Sequence, residues 1–243
     1  MLAEPRRGES FLTSVLFALA FPLRPAWLIP LVLIPVLDQS SASLTGAFSP
    51  VGIATGILTS LYTLGLVQTI VRSTARGVDL VLPNFTWSSA FGGLLRTIFG
   101  WLLLLVVCLG PFVFVHHHTP GHPHLEQALL MAGLAYFPMG LLAMLQTNRV
   151  SSANPVNVVS SVSRAPLAYA LTVLLLLPHF YLAAGIDSDR WAAAQPDWIK
   201  LLLHLLLEFG ALYFALFWAR VLGSFYRCHR QRLDWESRIG EMD

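Results

Sequence analysis

The chain has 243 residues, of which 56% are apolar, with only 15 basic and 13 acidic side chains. Charged residues make up 12% of the chain, about half of the roughly 25% found in soluble domains, and the mean hydropathy is +0.66. So few charges cannot cover a soluble enzyme, sustain a disordered chain or form a basic DNA-binding face. The composition therefore predicts one integral membrane domain over 1–243.

The first 20 residues allow two interpretations. Arg6 and Arg7 precede an apolar stretch over 11–21, and a signal peptide could be cleaved after Ala20. However, the apolar sequence continues past Arg24 and Pro25 into a second run. We therefore favour a helix that lies on the cytoplasmic surface before the first span.

Six apolar runs predict an all-α protein with six transmembrane helices. A run of about 20 residues crosses an apolar layer of about 30 Å. The first run is short, so five spans remain the alternative count. The runs cover 25–37, 44–71, 97–115, 125–146, 165–184 and 199–222, and the prolines expected to break them are Pro30, Pro35, Pro111, Pro138 and Pro178.

The basic residues predict the orientation of the chain. Six spans place 13 of the 15 basic residues on one side and only Arg190 and Lys200 on the other. Because cytoplasmic loops are enriched in Lys and Arg, both termini are expected in the cytoplasm of a bacterial inner membrane.

Three segments share one design, which predicts three repeated hairpins with interfacial amphipathic helices. Each has an amphipathic stretch, an arginine, an aromatic residue and an apolar run, over about 9–76, 85–149 and 151–232. The alternative is that membrane proteins in general resemble one another locally. The arginines at the boundary of each unit are Arg24, Arg96 and Arg164.

Arginines at an interface are expected to contact lipid headgroups. This applies to Arg24, Arg96 and Arg164, and also to a basic tail over 220–243 that interleaves aromatic residues with Arg227, Arg230 and Arg232. The tail is typical of an amphipathic helix on anionic lipid, and nucleic-acid binding is not expected.

The most unusual segment, 116–124, is expected to be an external loop. It carries five imidazoles, at His116, His117, His118, His122 and His124. Such side chains could capture Zn or Cu adventitiously, or could simply be tolerated in a polar loop. Neither a catalytic metal nor a resident cofactor is expected. Cys108 and Cys228 fall in unrelated segments and predict no disulfide.

A second polar group is expected inside the membrane. Glu208 lies eight residues after Lys200, about 12 Å along a helix, near the middle of the apolar layer. His204 lies one turn earlier, and His179 of the preceding span should reach a similar depth. The three could form a proton relay, an intramembrane metal site or hydrogen bonds between spans. A neutral Glu208 bonded to a neighbour is equally compatible with the sequence.

Gly52 and Gly56 form a small-xxx-small pattern in the second span, which lets helices approach closely. Ordinary packing inside the bundle is the favoured interpretation, and homodimerisation is the alternative.

The stretch over 65–83, with Gln68, Arg72, Arg76, Gly77, Asp79 and Pro83, resembles uncharacterised bacterial multi-pass membrane protein families. The resemblance implies a six-span architecture and no catalytic residues. Together with the missing catalytic motifs, it favours a non-enzymatic accessory or scaffold subunit that binds membrane lipids and protein partners. A small transporter component for a metal ion or small solute is the alternative, and a membrane metalloenzyme is disfavoured.

Overall fold

The computed structural model describes residues 10–45, 49–78, 87–118, 122–179 and 196–233, and in these ranges the fold is helical with no strand. Four helices are long and apolar enough to cross a membrane, and counting two bent helix pairs as spans raises the number to six. Short 3₁₀ turns cover Phe21–Leu23 and Val150–Ala153. The helices are α1 (Phe11–Leu19), α2 (Pro25–Thr45), α3 (Pro50–Arg76), α4 (Trp87–His118), α5 (Pro123–Thr147), α6 (Pro155–Arg164), α7 (Pro166–Leu174) and α8 (Asp197–Leu233).

The two bent pairs follow from proline. The α1–α2 segment bends by 61° and the α6–α7 segment by 107°. In each pair Pro25 or Pro166 is the first residue of the second helix, and proline disfavours helical geometry in the residue before it. The residues directly after Arg96 include no proline, and α4 is continuous from Trp87 to His118. The separate surface helix predicted for the second repeat is therefore wrong, because its residues form the first turns of α4.

Prolines within the helices do not end them. Four of the five expected to break spans, Pro30, Pro35, Pro111 and Pro138, lie inside continuous helices. That prediction was wrong for these four, because a helix interior tolerates a proline when neighbouring groups bond the carbonyls it releases.

Polar caps determine where α3 begins and ends. The Ser49 hydroxyl accepts from the Gly52 amide at 3.0 Å, and Pro50 is the first helical residue. The apolar run predicted from 44 therefore contributes its first residues to α2. Gly77 ends α3 in the left-handed conformation, at φ 71°, which glycine adopts without strain.

Helix α5 lies at the centre of the core. Its most apolar window is 56% buried, against 17–28% for α3, α4 and α8, so the outer faces of those three helices are apolar and exposed. Helix α4 packs mainly on α5, and α8 packs mainly on α3 and α1. The fully buried aliphatic side chains are Leu31, Leu66, Ile70, Val71, Leu141, Leu142, Leu216, Val221 and Leu222.

Two of these contacts bring helix backbones unusually close together. At Gly133 of α5 a Cβ atom would collide with the backbone carbonyl of Cys108 in α4. At Gly223 of α8 it would lie 2.6 Å from Cβ of Thr74 in α3. Glycine is required at both places because the neighbouring helix fills the space of a methyl group.

The C-terminal part of α8 is buried by protein. Phe225 is fully buried, its ring meets Phe11 of α1 edge-on at 5.9 Å, and the Tyr213 hydroxyl donates to the Leu19 carbonyl at 2.6 Å. Residues 220–233 thus continue α8, and Phe225 and Tyr226 are buried in the protein instead of facing the lipid interface, whereas lipid contact by the arginines of this segment stays a prediction. The remainder of the predicted tail, 234–243, lies outside the described residues.

Candidate functional site

The first candidate site is the arginine-rich end of the bundle, where α3, α5 and α8 finish. Arg72 of α3 donates from Nε to the Leu145 carbonyl at 3.0 Å and from Nη2 to Asn148 Oδ1 at 3.3 Å. Leu145 is in the last turn of α5 and Asn148 is the residue that caps it. A cation is favoured there, because the final carbonyls of a helix carry partial negative charge.

Arg164 donates hydrogen bonds to the last turn of α8, as Arg72 does to the last turn of α5. Its Nη1 donates to the carbonyls of Arg232 and Leu233 at 2.8 and 3.1 Å. At the end of α3, Cδ of Arg227 lies 3.8 Å from the position of a Cβ on Gly77. Each helix that ends here therefore has an arginine of another element beside its last turn.

The other predicted headgroup contacts lie at the same end or outside the described side chains. Arg24 and Arg232 are exposed, and Arg230 is half-buried. The side chain of Arg96 lies outside the described residues. Contact with lipid stays a prediction for all six arginines, and the structure adds an intramolecular role for Arg164.

Arg72 is the residue of this site that sequence reasoning missed. The only signal was the similarity between 66–72 and 144–149, where a Gln-Thr pair precedes an arginine in both returning spans. That similarity does not reveal that Arg72 reaches a carbonyl 73 residues away.

The opposite end carries the histidines, mostly on helix ends. His116–His118 form the last turn of α4, His122 caps α5 and His124 lies within it. The predicted loop over 116–124 was therefore too long, because Pro123 is well suited to the first position of a helix. His116 Nδ1 lies 3.0 Å from Glu126 Oε2 and can donate to it, which joins α4 to α5.

Metal capture by the histidines stays a prediction. Among the residues that the structure describes, no three His, Cys, Asp or Glu side chains lie close enough to hold a metal ion. The two cysteines are far apart in the fold, with Cys108 buried and Cys228 exposed, and they form no disulfide.

The intramembrane polar residues divide into two groups. His179 Nδ1 donates to the Ala211 carbonyl of α8 at 2.9 Å, whereas His204 Nδ1 donates to the Lys200 carbonyl of its own helix at 2.8 Å. His179 thus meets α8 seven residues beyond His204, about 10 Å along the axis. The prediction that His179 and His204 lie at a similar depth is wrong. It assumed a straight fifth span, whereas α7 ends at Leu174 and a turn precedes His179.

Glu208 lies in the same part of α8 as the Ala211 carbonyl that accepts from His179. It precedes Ala211 by less than one helical turn, and its Oε2 atom is buried. Because a carbonyl only accepts, Nδ1 of His179 carries its hydrogen and Nε2 of the neutral ring can accept another.

The Gly52–Gly56 pattern lies in the N-terminal half of α3, which faces outward in the predicted topology. Gly52 is buried, but a Cβ on Gly56 would have nothing within 4 Å. Nearby hydroxyls are satisfied within the helix, since Thr59 donates to the Thr55 carbonyl at 3.0 Å and Thr63 to the Thr59 carbonyl at 2.9 Å. In the described chain, close packing thus occurs at Gly133 and Gly223, and Gly56 faces open space.

Comparison with protein-family models, with curated proteins and with solved structures finds no match to this chain. Three places in the fold therefore carry the candidate chemistry: the arginine-rich end, the His116–Glu126 contact, and the part of α8 that contains Glu208 and the Ala211 carbonyl bonded by His179. The outer half of α3 adds a surface suited to another helix.

Proposed function

We propose that the protein is a non-enzymatic accessory or scaffold subunit of a larger membrane assembly, and that the outer half of α3 is its docking face. One observation carries the proposal. A single face of α3 runs through positions 52, 56, 59 and 63 and continues into Leu66 and Ile70, because these positions are three or four residues apart. Leu66 and Ile70 are fully buried, whereas positions 56, 59 and 63 are half-buried and a Cβ on Gly56 would have nothing within 4 Å.

An open small-residue face differs from an open leucine face in a membrane. Lipid tails solvate leucine as well as another helix does, so exposed Leu and Val on α4 favour no partner. Glycine and threonine let a second helix approach closely and gain dispersion contacts. Since Thr59 and Thr63 bond their own helix, docking leaves no polar group unsatisfied.

The setting we propose is a bacterial inner membrane crossed six times, with both termini in the cytoplasm. The distribution of 13 of 15 basic residues on one side supports this orientation. Three hairpin units, at about 9–76, 85–149 and 151–232, are part of the proposal, with the second unit lacking a separate surface helix.

Native mass spectrometry after mild detergent extraction tests the docking face. Gly56→Leu should release a stoichiometric partner protein while the fold survives, because a Cβ at this position would have nothing within 4 Å. Ala54→Leu is the matched control, since Ala54 is exposed on nearly the opposite face of α3. Partner retention by Gly56→Leu, or a wild-type protein that is purely monomeric or homo-oligomeric, would contradict the proposal.

A transporter component for a metal ion or small solute is the second candidate. It is favoured by the burial of Glu208 Oε2, within one helical turn of the Ala211 carbonyl that accepts from His179. Ionisable residues at this depth commonly mark ion or proton pathways. The Glu208 variants described in the Discussion distinguish this candidate from the scaffold.

A further inference from the structure

Helix α1 turns apolar side chains outward as well as inward. Val15 and Ala18 are buried in one cluster with residues of α8, whereas Leu16 and Phe17 are 66% and 72% exposed on the opposite side. The exposed side of α1 carries one polar residue, Thr13, whose hydroxyl donates to a backbone carbonyl of the preceding turn at 2.7 Å. A helix between a protein core and water has polar side chains on its outer side. The outer side of α1 therefore suits an apolar medium.

The same apolar surface continues from α1 along α2. Between residues 11 and 37 Arg24 is the only charged residue. Its long side chain can reach lipid headgroups while its stem lies along an apolar layer, so one arginine does not end that layer. The exposed apolar side chains that follow Phe17 are Leu19, Leu23, Leu28, Ile29, Val32, Leu33, Val36 and Leu37.

The first span also needs the length that α1 adds. The apolar run over 25–37 extends for about 20 Å as a helix, against an apolar layer of about 30 Å. The 9 residues of α1 are about 14 Å long, and the bend of 61° leaves about 7 Å of that length along the axis of α2. The two helices and the 3₁₀ turn between them therefore come close to the thickness of the layer.

The inner side of α1 is already occupied by protein. Phe11 meets the rings of Phe225 and His229 edge-on, each at 5.9 Å, and the Tyr213 hydroxyl donates to the Leu19 carbonyl at 2.6 Å. These contacts hold α1 beside the C-terminal half of α8 and leave its leucines outside. Exposed leucine gains little from a protein partner in a membrane, because lipid tails solvate it equally well.

We infer that the outer side of α1 lies among the lipid acyl chains at the arginine-rich end, so that 11–37 forms one broken span. The sequence favours a helix on the cytoplasmic surface, whereas the outward leucines and the length of the span favour a position inside the layer. Helix α1 then joins α8 to the bilayer. This inference does not depend on the docking face of α3 and holds if that proposal fails.

A spin label on α1 tests the inference in bilayers of phosphatidylglycerol and phosphatidylcholine. Leu16→Cys is labelled in a chain that also carries Cys228→Ser, because Cys228 is exposed and would react, whereas Cys108 is buried. Oxygen concentrates among acyl chains, and a water-soluble nickel complex stays outside them. Power saturation of the spin signal should therefore show that the label at position 16 collides more often with oxygen than with the nickel complex.

Two reference labels set the scale of the collision rates. Val106→Cys, on the exposed side of α4, reports lipid, and Gln231→Cys, exposed in the last turn of α8, reports water. The label at position 16 should resemble the lipid reference. Resemblance to the water reference, or protection from both reagents by a covering protein, would overturn the inference. If Leu16→Cys does not fold, Phe17→Cys repeats the test, since Phe17 is exposed on the same side.

Discussion

Gly133 shows how a single residue controls the packing of two helices. A side chain at this position would collide with the Cys108 carbonyl, and backbone atoms cannot rotate away as a flexible side chain can. We expect Gly133→Ala to lower the free energy of unfolding by about 1–3 kcal/mol, the usual cost of overpacking. Unfolding in detergent with added denaturant measures it.

Gly110→Ala is the control for this variant. Its nearest neighbour would be Val106 Cγ1 at 3.9 Å, which is ordinary contact. The better helix propensity of alanine should leave Gly110→Ala unchanged or up to about 1 kcal/mol more stable. Equal stability of the two variants would show that α4 and α5 separate more easily than the Gly133 contact implies.

Glu208 distinguishes the two proposed functions. If its carboxyl group only bonds a neighbour, Glu208→Gln should preserve assembly and physiological output, whereas Glu208→Leu should lose about 1 kcal/mol of stability. If the residue carries protons or a cation, Glu208→Gln folds normally but loses output, because an amide cannot ionise. Assembly and output should be measured in the same cells. Intact assembly with lost output would refute the scaffold, and intact output would remove the transporter's central residue.

The histidines at the opposite end predict a metal experiment. Replacing His116, His117, His118, His122 and His124 by Gln should abolish any stoichiometric binding of zinc or copper in detergent, because their imidazoles are the candidate ligands. His229→Gln is the control, since His229 stacks on Phe225 at the arginine-rich end. Metal content that is unaffected by the five substitutions would exclude these residues as ligands.

At the scale of elements, arginines tie helix ends together. Arg164 spans from α6 to the end of α8, and its loss would remove two charged hydrogen bonds. We expect Arg164→Gln to lower the thermal stability by the equivalent of about 1–2 kcal/mol, less than for a fully buried group because Arg164 is half-buried. Arg232→Gln is the control, because its exposed side chain changes while its backbone carbonyl remains. An equal loss in both variants would indicate a general charge effect.

Proline placement determines how each surface segment joins its span. Where Pro25 or Pro166 follows closely on an arginine, the helix breaks and bends. Where it is missing, after Arg96, one helix of 32 residues forms. The three repeats predicted from sequence therefore differ in whether a proline follows the boundary arginine, and this proline determines whether the chain bends between the surface segment and the span.

For the whole molecule, the arginine-rich end predicts the orientation in the membrane. A reporter active only in the periplasm should stay silent after Asp243 and become active when inserted before His122. We expect these reporter activities because loops rich in Lys and Arg are retained in the cytoplasm. Activity of the fusion at Asp243 would reverse the proposed topology.

Several features of the whole molecule follow from the sequence alone. The sequence predicts the helical class, the approximate position of each membrane-length helix and the lack of a Cys108–Cys228 bond, and the structure agrees for the residues it describes. These properties depend on the length of apolar runs and on the order of residues, both of which a single sequence displays. The predicted helix ends were less accurate. The Ser49 cap starts α3 at Pro50 and not at residue 44, and α5 starts at Pro123 and not at residue 125.

Only the tertiary structure decided which faces meet. Arg72 reaches a carbonyl 73 residues away and Arg164 reaches two others 68 and 69 residues away. Gly133 is tightly packed and Gly56 is open, although both lie in apolar helices with similar neighbours in sequence. Such differences arise from the rotation and tilt of packed helices, and hydropathy carries little information about either because lipid and protein interior are equally apolar.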